Sequence, residues 1–176
     1  VVIWTTTPWT IPGNRAIAYS KNIKYSLFQI NETEENSHLK SEDRIIIAQD
    51  LEESFKDQCR VKSVTKIKDI DDVGSLICSH PFVKSGYNFD IKLYKADFVT
   101  LEQGTGFVHI APGHGADDYI LGITNNIEVP ETVDQDGYYF DHIPLFKGKK
   151  IFNDDGSDAD ANVAVIIELK NHNALA

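Results

Sequence analysis

Three kinds of side chain in this sequence could act on a bound substrate: a run of hydroxyls, two histidines and a pair of adjacent carboxylates. Residues 104–119 read Gly-Thr-Gly-Phe-Val-His-Ile-Ala-Pro-Gly-His-Gly-Ala-Asp-Asp-Tyr. Phe107 to Ile110 is an apolar strand interrupted by His109. Pro112-Gly113-His114-Gly115 turns the chain, and Ala116 to Gly122 has the pattern of a helix start. A strand that enters a glycine-rich turn and then a helix leaves polar side chains and free backbone N–H groups at one edge. Asp117 and Asp118 fall in the first helical turn, where a cationic ligand group could be held. Gly113 and Gly115 let a backbone or ligand come close to His114.

The hydroxyls are at the other end of the chain, in Thr5-Thr6-Thr7-Pro8-Trp9-Thr10-Ile11-Pro12-Gly13-Asn14. They follow Val1-Val2-Ile3-Trp4, which reads as an apolar strand. Pro8 and Pro12 each fix φ and stiffen a loop that carries Trp9 and Asn14. Hydroxyls, an amide and an indole suit a small polar ligand, but none of them is a strong base.

Two familiar chemistries fit poorly. A nucleophilic hydrolase needs Ser, Cys or Thr beside a base; the base nearest the threonines is His109, about a hundred residues away. A Thr–His pair stays geometrically open. A zinc hydrolase would use His109, His114 and Asp117 or Asp118, but the strand-to-turn spacing of the histidines is not that of a zinc helix. Taken singly, the threonines read as a solvated strand end, His109 as a core imidazole, and Asp118 as a charge favoured at a helix N-terminus.

Together, Thr5 to Asn14 and Gly104 to Tyr119 resemble the two signature segments of the isoleucyl-tRNA synthetase editing domain, the connective-peptide insertion of a class I synthetase. The resemblance covers both segments and, more loosely, nearly the whole chain. Valyl and leucyl relatives carry Thr-Thr-Arg-Pro where this chain has Thr6-Thr7-Pro8-Trp9, and lack the His109 to His114 pattern in this form. Gly13 stands where many relatives have alanine.

The resemblance implies a β-rich α/β fold, a β-barrel-like core with peripheral helices, with residues 1–176 as one editing domain. It implies hydrolysis of misacylated Val-tRNA(Ile) by water attack on the ester, in a pocket that excludes isoleucine; action on Val-adenylate is left open. Asp118 would pair with the α-ammonium group. His109 would lie at the amino-acid side-chain end, and Thr6, Thr7 and Asn14 would bind ribose, ester or water. Thr6, Thr7 and Asp118 are the catalytic candidates. Thr5, Thr6, Thr7, Trp9, Asn14, His109, Gly113, His114 and Asp118 are the substrate-binding candidates. No metal or cofactor is implied for this domain, and the adenylate-forming motifs of a synthetase are absent. The implied partners are the aminoacyl-adenosine end of tRNA(Ile) and the rest of a parent synthetase, for a monomer in the cytoplasm. The alternatives are a valyl-type domain that removes threonine, or a non-catalytic module for the tRNA 3′ end.

The elements that would position these residues read as mostly strands. Ala16 to Tyr19, Tyr25 to Ile30, Arg44 to Ala48, Arg60 to Lys68, Leu76 to Phe82 and Ile91 to Tyr94 have strand character. Asp50-Leu51-Glu52-Glu53 reads as a capping box that opens a helix to about Lys56. Asp158 is expected to begin the last helix, with Val163, Ile166, Ile167 and Lys170 near one face. Asn31 to Asp43 reads as a solvated loop, and His80 as structural. Asp134 to Gly137 is a hairpin turn signal; neither it nor Asn153 to Asp158 carries a full set of calcium-loop ligands.

At 176 residues, with 41% apolar and 10% aromatic residues, the chain can bury a core. No apolar run approaches the roughly 20 residues of a membrane span, and no membrane contact is expected. The absence of methionine, with an apolar opening segment, leads to the expectation of a piece of a longer polypeptide. Cys59 and Cys78 are too few for a disulfide scaffold and are expected as small core residues. A net charge of −10 argues against tight, unaided binding to nucleic acid. Arg60, Lys62, Lys66 and Lys68 on one strand face are read as a solvated face, with a phosphate-facing ridge for the tRNA 3′ end as the sharper alternative.

Overall fold

The structure, a computed structural model, describes residues 1–176. Seven strands form two sheets that do not close into a barrel. They are β1 (Ala16–Tyr19), β2 (Tyr25–Thr33), β3 (Arg44–Ala48), β4 (Val61–Asp69), β5 (Ile77–Ser79), β6 (Asp90–Lys95) and β7 (Phe107–Ile110). One sheet has the order β5-β6-β1-β7 and the other β3-β2-β4. The fold is thus mixed α/β and sheet-rich, and the barrel-like core expected above is replaced by two open sheets. The strands expected over Ala16–Tyr19 and Tyr25–Ile30 both form, but the turn between them crosses from one sheet to the other.

β1 is buried at all four positions because it lies between parallel β6 and antiparallel β7. A short apolar run without alternation is what a strand covered on both faces requires. The pairing places Ile17 opposite His109, so the candidate histidine is held by the central strand of its sheet.

The loop 104–106 joins the two sheets. Thr105 O accepts Ala48 N at 2.8 Å and Gly106 O accepts the Tyr25 hydroxyl at 2.7 Å. Burial pushes the Tyr25 phenol up to about 12, so it stays a proton donor. Gly106 has φ of 80°, and a Cβ there would stand 2.5 Å from the Ala48 Cβ; only glycine allows both the dihedral and the approach. Val1 to Trp4 is not a regular strand. Val2 N donates to Ile46 O, and Trp4 forms a single bridge to Val108, so the segment spans the seam between the sheets.

The helices are α1 (Glu52–Cys59), α2 (Ala116–Thr124) and α3 (Asp160–Asn171). The expected capping box does not form. A 3-10 turn over Gln49–Leu51 runs directly into α1, and N-cap Leu51 makes no side-chain cap bond. On α3 the buried residues are Ala161, Val165 and Leu169, while Val163, Ile166 and Ile167 are 59%, 41% and 51% exposed. The expected apolar face therefore points outward, because the helix packs on the 3-10 segment Pro8–Gly13 through Ala161, Val165 and Leu169.

His80 is structural, as expected. Its Nε2 donates to Ile11 O at 3.0 Å, its Nδ1 accepts Phe82 N at 3.1 Å, and the ring stacks on Tyr87. Burial lowers it to about 4, so it is a neutral strut under the Pro8–Gly13 segment. At the Asp134 turn, Oδ1 accepts the N–H groups of Asp136 and Tyr138, both at 2.9 Å, which ties the carboxylate to its own loop. Lys62 and Lys66 pair with Glu32 and Asp69, which fits the solvated-face reading of β4. No helix is long and apolar enough to cross a membrane.

Candidate functional site

His109 is 7% exposed and both ring nitrogens have partners: Asn14 Nδ2 at 2.6 Å from Nδ1, and Thr10 Oγ1 at 2.9 Å from Nε2. The tautomer follows from the surrounding carbonyls. Asn14 Nδ2 also faces Ala16 O at 2.9 Å and Ile110 O at 3.3 Å, both acceptors only. That end of the amide is therefore the NH2 group, and His109 Nδ1 accepts from it. Nε2 then carries the hydrogen and donates to Thr10, whose hydroxyl donates in turn to Thr7 O at 2.9 Å. Burial lowers His109 to about 3, with the nearby His80 and His114 adding to it. The ring is neutral, fixed in one tautomer, and has no free nitrogen to act as a base.

This geometry removes the Thr–His nucleophile as a reading of these residues. Thr10 receives a hydrogen from the imidazole and is not activated by it. It also weakens the zinc alternative, since neither nitrogen of His109 is available as a ligand.

Asp118 sits in the first turn of α2. Its Oδ1 accepts Ala111 N at 2.7 Å, and Ala111 is two residues past His109. The other oxygen, Oδ2, lies over Gly115. Gly115 has φ of −153°, open to any residue, so the glycine serves the approach of the carboxylate and not the dihedral. Gly122 works likewise: a Cβ there would meet the Pro112 ring at 2.9 Å, so α2 lies directly on the turn. Asp118 is half-buried and its carboxyl is raised, mainly by burial, with Asp117 adding and the Ala111 bond opposing.

The threonine loop and this turn are packed together. Trp9 and His114 meet edge to face, centroids 4.8 Å apart, and a Cβ on Gly13 would stand 3.0 Å from the His114 ring. Within the loop, Thr7 N donates to Thr5 Oγ1 at 3.0 Å and the Thr6 and Thr7 hydroxyls are 3.4 Å apart, with Thr6 exposed. Trp9 is also a core residue: Tyr139 donates to its carbonyl and Asn162 accepts its N–H. Asn14, expected at ribose, ester or water, instead has its amide directed to His109 and two carbonyls.

Two participants escaped the sequence reading. Thr10 is the middle of the His109–Thr10–Thr7 chain. Thr132, 1% exposed, bonds His114 Nε2, while Pro130 O covers Gly113, where a Cβ would lie 2.9 Å away. The segment from Pro130 to Thr132 is thus a third wall. Thr10 lay within the quoted motif and could have been noticed; nothing local marks Thr132. A cavity of about 560 Å³ meets the predicted set at Thr5, Asn14 and His109; Thr6, Thr7, Trp9, Gly113, His114 and Asp118 do not line it.

The fold is that of a synthetase connective-peptide domain. A crystal structure described as GlLeuRS-CP1, the leucyl type, matches with a TM-score of 0.52 over 71% of this chain and 48% of that one, at 18% identity. Sequence narrows the class. The chain is 44% identical over 177 residues to the isoleucine–tRNA ligase of Pelagibacter ubique, covering 99% of this chain and 18% of that protein. It is 41% identical over 179 residues to that of Bradyrhizobium diazoefficiens, covering 94% and 18%. The chain therefore matches, nearly end to end, a segment of the isoleucine–tRNA ligases, as its two signature segments implied. It spans less than a fifth of the length of these curated relatives. No protein-family model matches it.

Proposed function

We propose that residues 1–176 act as one editing domain that hydrolyses the ester of valine misattached to tRNA(Ile). The observation that carries this reading is the neutral, doubly bonded His109 on a strand whose continuation at Ala111, two residues on, holds the half-buried Asp118. An imidazole with no free nitrogen can serve as a rigid wall, and a carboxylate with one oxygen unused by the chain can pair with an α-ammonium group. A missing methylene is worth only about 1–3 kcal/mol in a binding pocket, a general figure for which isoleucine and valine are themselves the type case. A second site that rejects the larger side chain sterically supplies the remaining discrimination.

In this mechanism Asp118 Oδ2 holds the ammonium group of the aminoacyl ester, and the His109 ring limits the side chain. The Thr6 and Thr7 hydroxyls bind the ester and the attacking water. Water adds to the carbonyl carbon, the bond to the ribose oxygen breaks, and that oxygen takes the proton; valine and free tRNA leave. Neither His109 nor Thr10 takes part in proton transfer. No metal or cofactor is part of this scheme, and the remainder of the synthetase presents the tRNA.

The test is deacylation of Val-tRNA(Ile) by the chain and by the full synthetase, each with Asp118→Ala. Hydrolysis that depends on Asp118 supports the reading. Undiminished hydrolysis in the Asp118→Ala enzyme sinks it, and binding without any hydrolysis by the full synthetase points to a non-catalytic module.

A further inference from the structure

The hairpin around the Asp134 turn lies outside the two signature segments, but it is bonded to both of them. Gly137 takes φ of 81° and its N–H donates to Asp134 O at 3.1 Å, while Asp134 N donates to Tyr138 O at 2.8 Å. Val133 pairs with Tyr139 in an antiparallel bridge, and Phe140 N donates to Thr132 O at 3.1 Å. These bonds set Thr132 on the arm before the turn and Tyr139 on the arm after it. The returning chain backs the second arm: Tyr139 N donates to Lys149 O at 3.0 Å and Ile151 N to Gly137 O at 2.9 Å.

Thr132 and Tyr139 are 1% and 2% exposed, although each carries a hydroxyl. A buried hydroxyl needs a partner, and each finds it on a different half of the site. Tyr139 Oη donates to Trp9 O in the threonine loop, and Thr132 Oγ1 bonds His114 Nε2 in the turn before Asp118. Burial raises the Tyr139 phenol above its ordinary value, with Tyr87 adding, so it remains a donor. The two residues anchored in this way, Trp9 and His114, are those whose rings meet edge to face at 4.8 Å. An aromatic contact tolerates sliding, whereas hydrogen bonds are directional.

We propose that Thr132 and Tyr139 clasp the site: one hairpin holds the threonine loop by Trp9 and the Asp118 turn by His114, and fixes the distance between Thr6, Thr7 and Asp118. Both are then positioning residues for the hydrolysis, acting through the segments they hold and not by contact with substrate. That role rests on the proposed function; the clasp itself does not. Hydrolysis needs the ammonium group at Asp118 while the ester lies at the threonine hydroxyls, so the two segments must keep one spacing. A Cβ on Gly13 would stand 3.0 Å from the His114 ring. The joint is therefore already shut to contact, and loosening is the movement left to it.

Two measurements test this on Thr132→Val and Tyr139→Phe, each of which removes one hydroxyl at nearly constant shape. The first is amide hydrogen exchange on the whole chain, with the amides of β2 as the reference for global unfolding. The amides of Thr10 and Asn14 are bonded within the threonine loop, those of Ala111 and His114 within the Asp118 turn. Thr132→Val is expected to speed exchange at Thr10 and Asn14 as well as at His114. Tyr139→Phe is expected to speed it at Ala111 and His114 as well as at Thr10. Acceleration confined to the segment that lost its bond overturns the clasp.

The second is deacylation of Val-tRNA(Ile) by the full synthetase. In each variant kcat should fall at least about tenfold with KM nearly unchanged, because only the placement of the reacting groups is altered. Thr132→Ser should recover most of the loss. The double variant should fall by less than the product of the single effects, since both bonds serve one spacing. Exchange coupled across the joint with kcat unchanged overturns the positioning role. An unmodified synthetase that hydrolyses nothing, with exchange still coupled across the joint, sinks the editing reading and supports the clasp.

Discussion

Thr10 and His109, ninety-nine residues apart, share a 2.9 Å hydrogen bond that leaves the imidazole neutral and its tautomer fixed. With Asn14 on the other nitrogen, the ring can act through its shape alone. His109→Ala should therefore enlarge the pocket without removing a proton-transfer group. The expected outcome is that hydrolysis of Val-tRNA(Ile) continues while Ile-tRNA(Ile), previously spared, is cleaved as well. Parallel deacylation of the two esters reads this directly; continued sparing of isoleucine would show that His109 is not the wall.

Thr10→Val keeps the shape of Thr10 and removes the acceptor for His109 Nε2–H. A buried donor left unsatisfied costs about 1–3 kcal/mol. The melting temperature should fall accordingly, whereas Thr10→Ser, which retains the hydroxyl, should stay close to the unmodified chain. Equal melting of the Val and Ser variants would mean that the bond does not hold the ring.

Gly115→Ala tests the placement of Asp118 without touching its charge. The dihedral at Gly115 suits alanine, but the added methyl would overlap Asp118 Oδ2. Deacylation is expected to fall at least about tenfold, the scale of a misplaced binding group, with the far-ultraviolet circular dichroism unchanged. The raised carboxyl of Asp118 sets the acid limb: activity should fall with decreasing pH at a value above the roughly 3.9 of an ordinary aspartate. His109, at about 3, adds no limb near neutrality.

Much of this site was legible because its parts are local. Phe107–Ile110 formed as the strand expected from four residues, the turn and α2 followed, and the threonine loop was stiffened where Pro8 and Pro12 stand. The partners of these residues were not legible, since Thr10 and Thr132 acquire their roles from bonds that only the folded chain makes. Sheet membership was hidden for the same reason: nothing in Ser20 to Lys24 says that the chain leaves one sheet for another. The capping-box pattern at Asp50–Glu53 failed because a 3-10 turn already supplies the entry to α1.

Two buried histidines give a stability prediction with a definite sign. Burial holds His80 at about 4 and His109 at about 3, below the ordinary value of about 6.5. Between those limits the unfolded chain takes up protons that the folded chain refuses, so unfolding becomes easier as pH falls. Their contribution is intact above about 6.5 and is lost from there down to about 4 for His80 and 3 for His109. The slope is about 1.4 kcal/mol per pH unit for each histidine. Urea unfolding from pH 7 to 5 should show the midpoint dropping, and His80→Gln should flatten that drop. A pH-independent midpoint would contradict the burial of both rings.

α3 offers the sharpest test of helix phase, because its two apolar stripes differ in burial. Val163, Ile166 and Ile167 look like the core face in the sequence, yet they are exposed. Ala161, Val165 and Leu169 are turned to the Pro8–Gly13 segment, where Asn162 also accepts Trp9 N. Leu169→Ala should then cost about 2–5 kcal/mol, the usual range for a buried leucine truncation. Ile167→Ala, at an exposed position, should stay within about 0.5 kcal/mol. Denaturant midpoints of the two variants measure this, and a larger loss for Ile167→Ala would mean that α3 is rotated onto its other face.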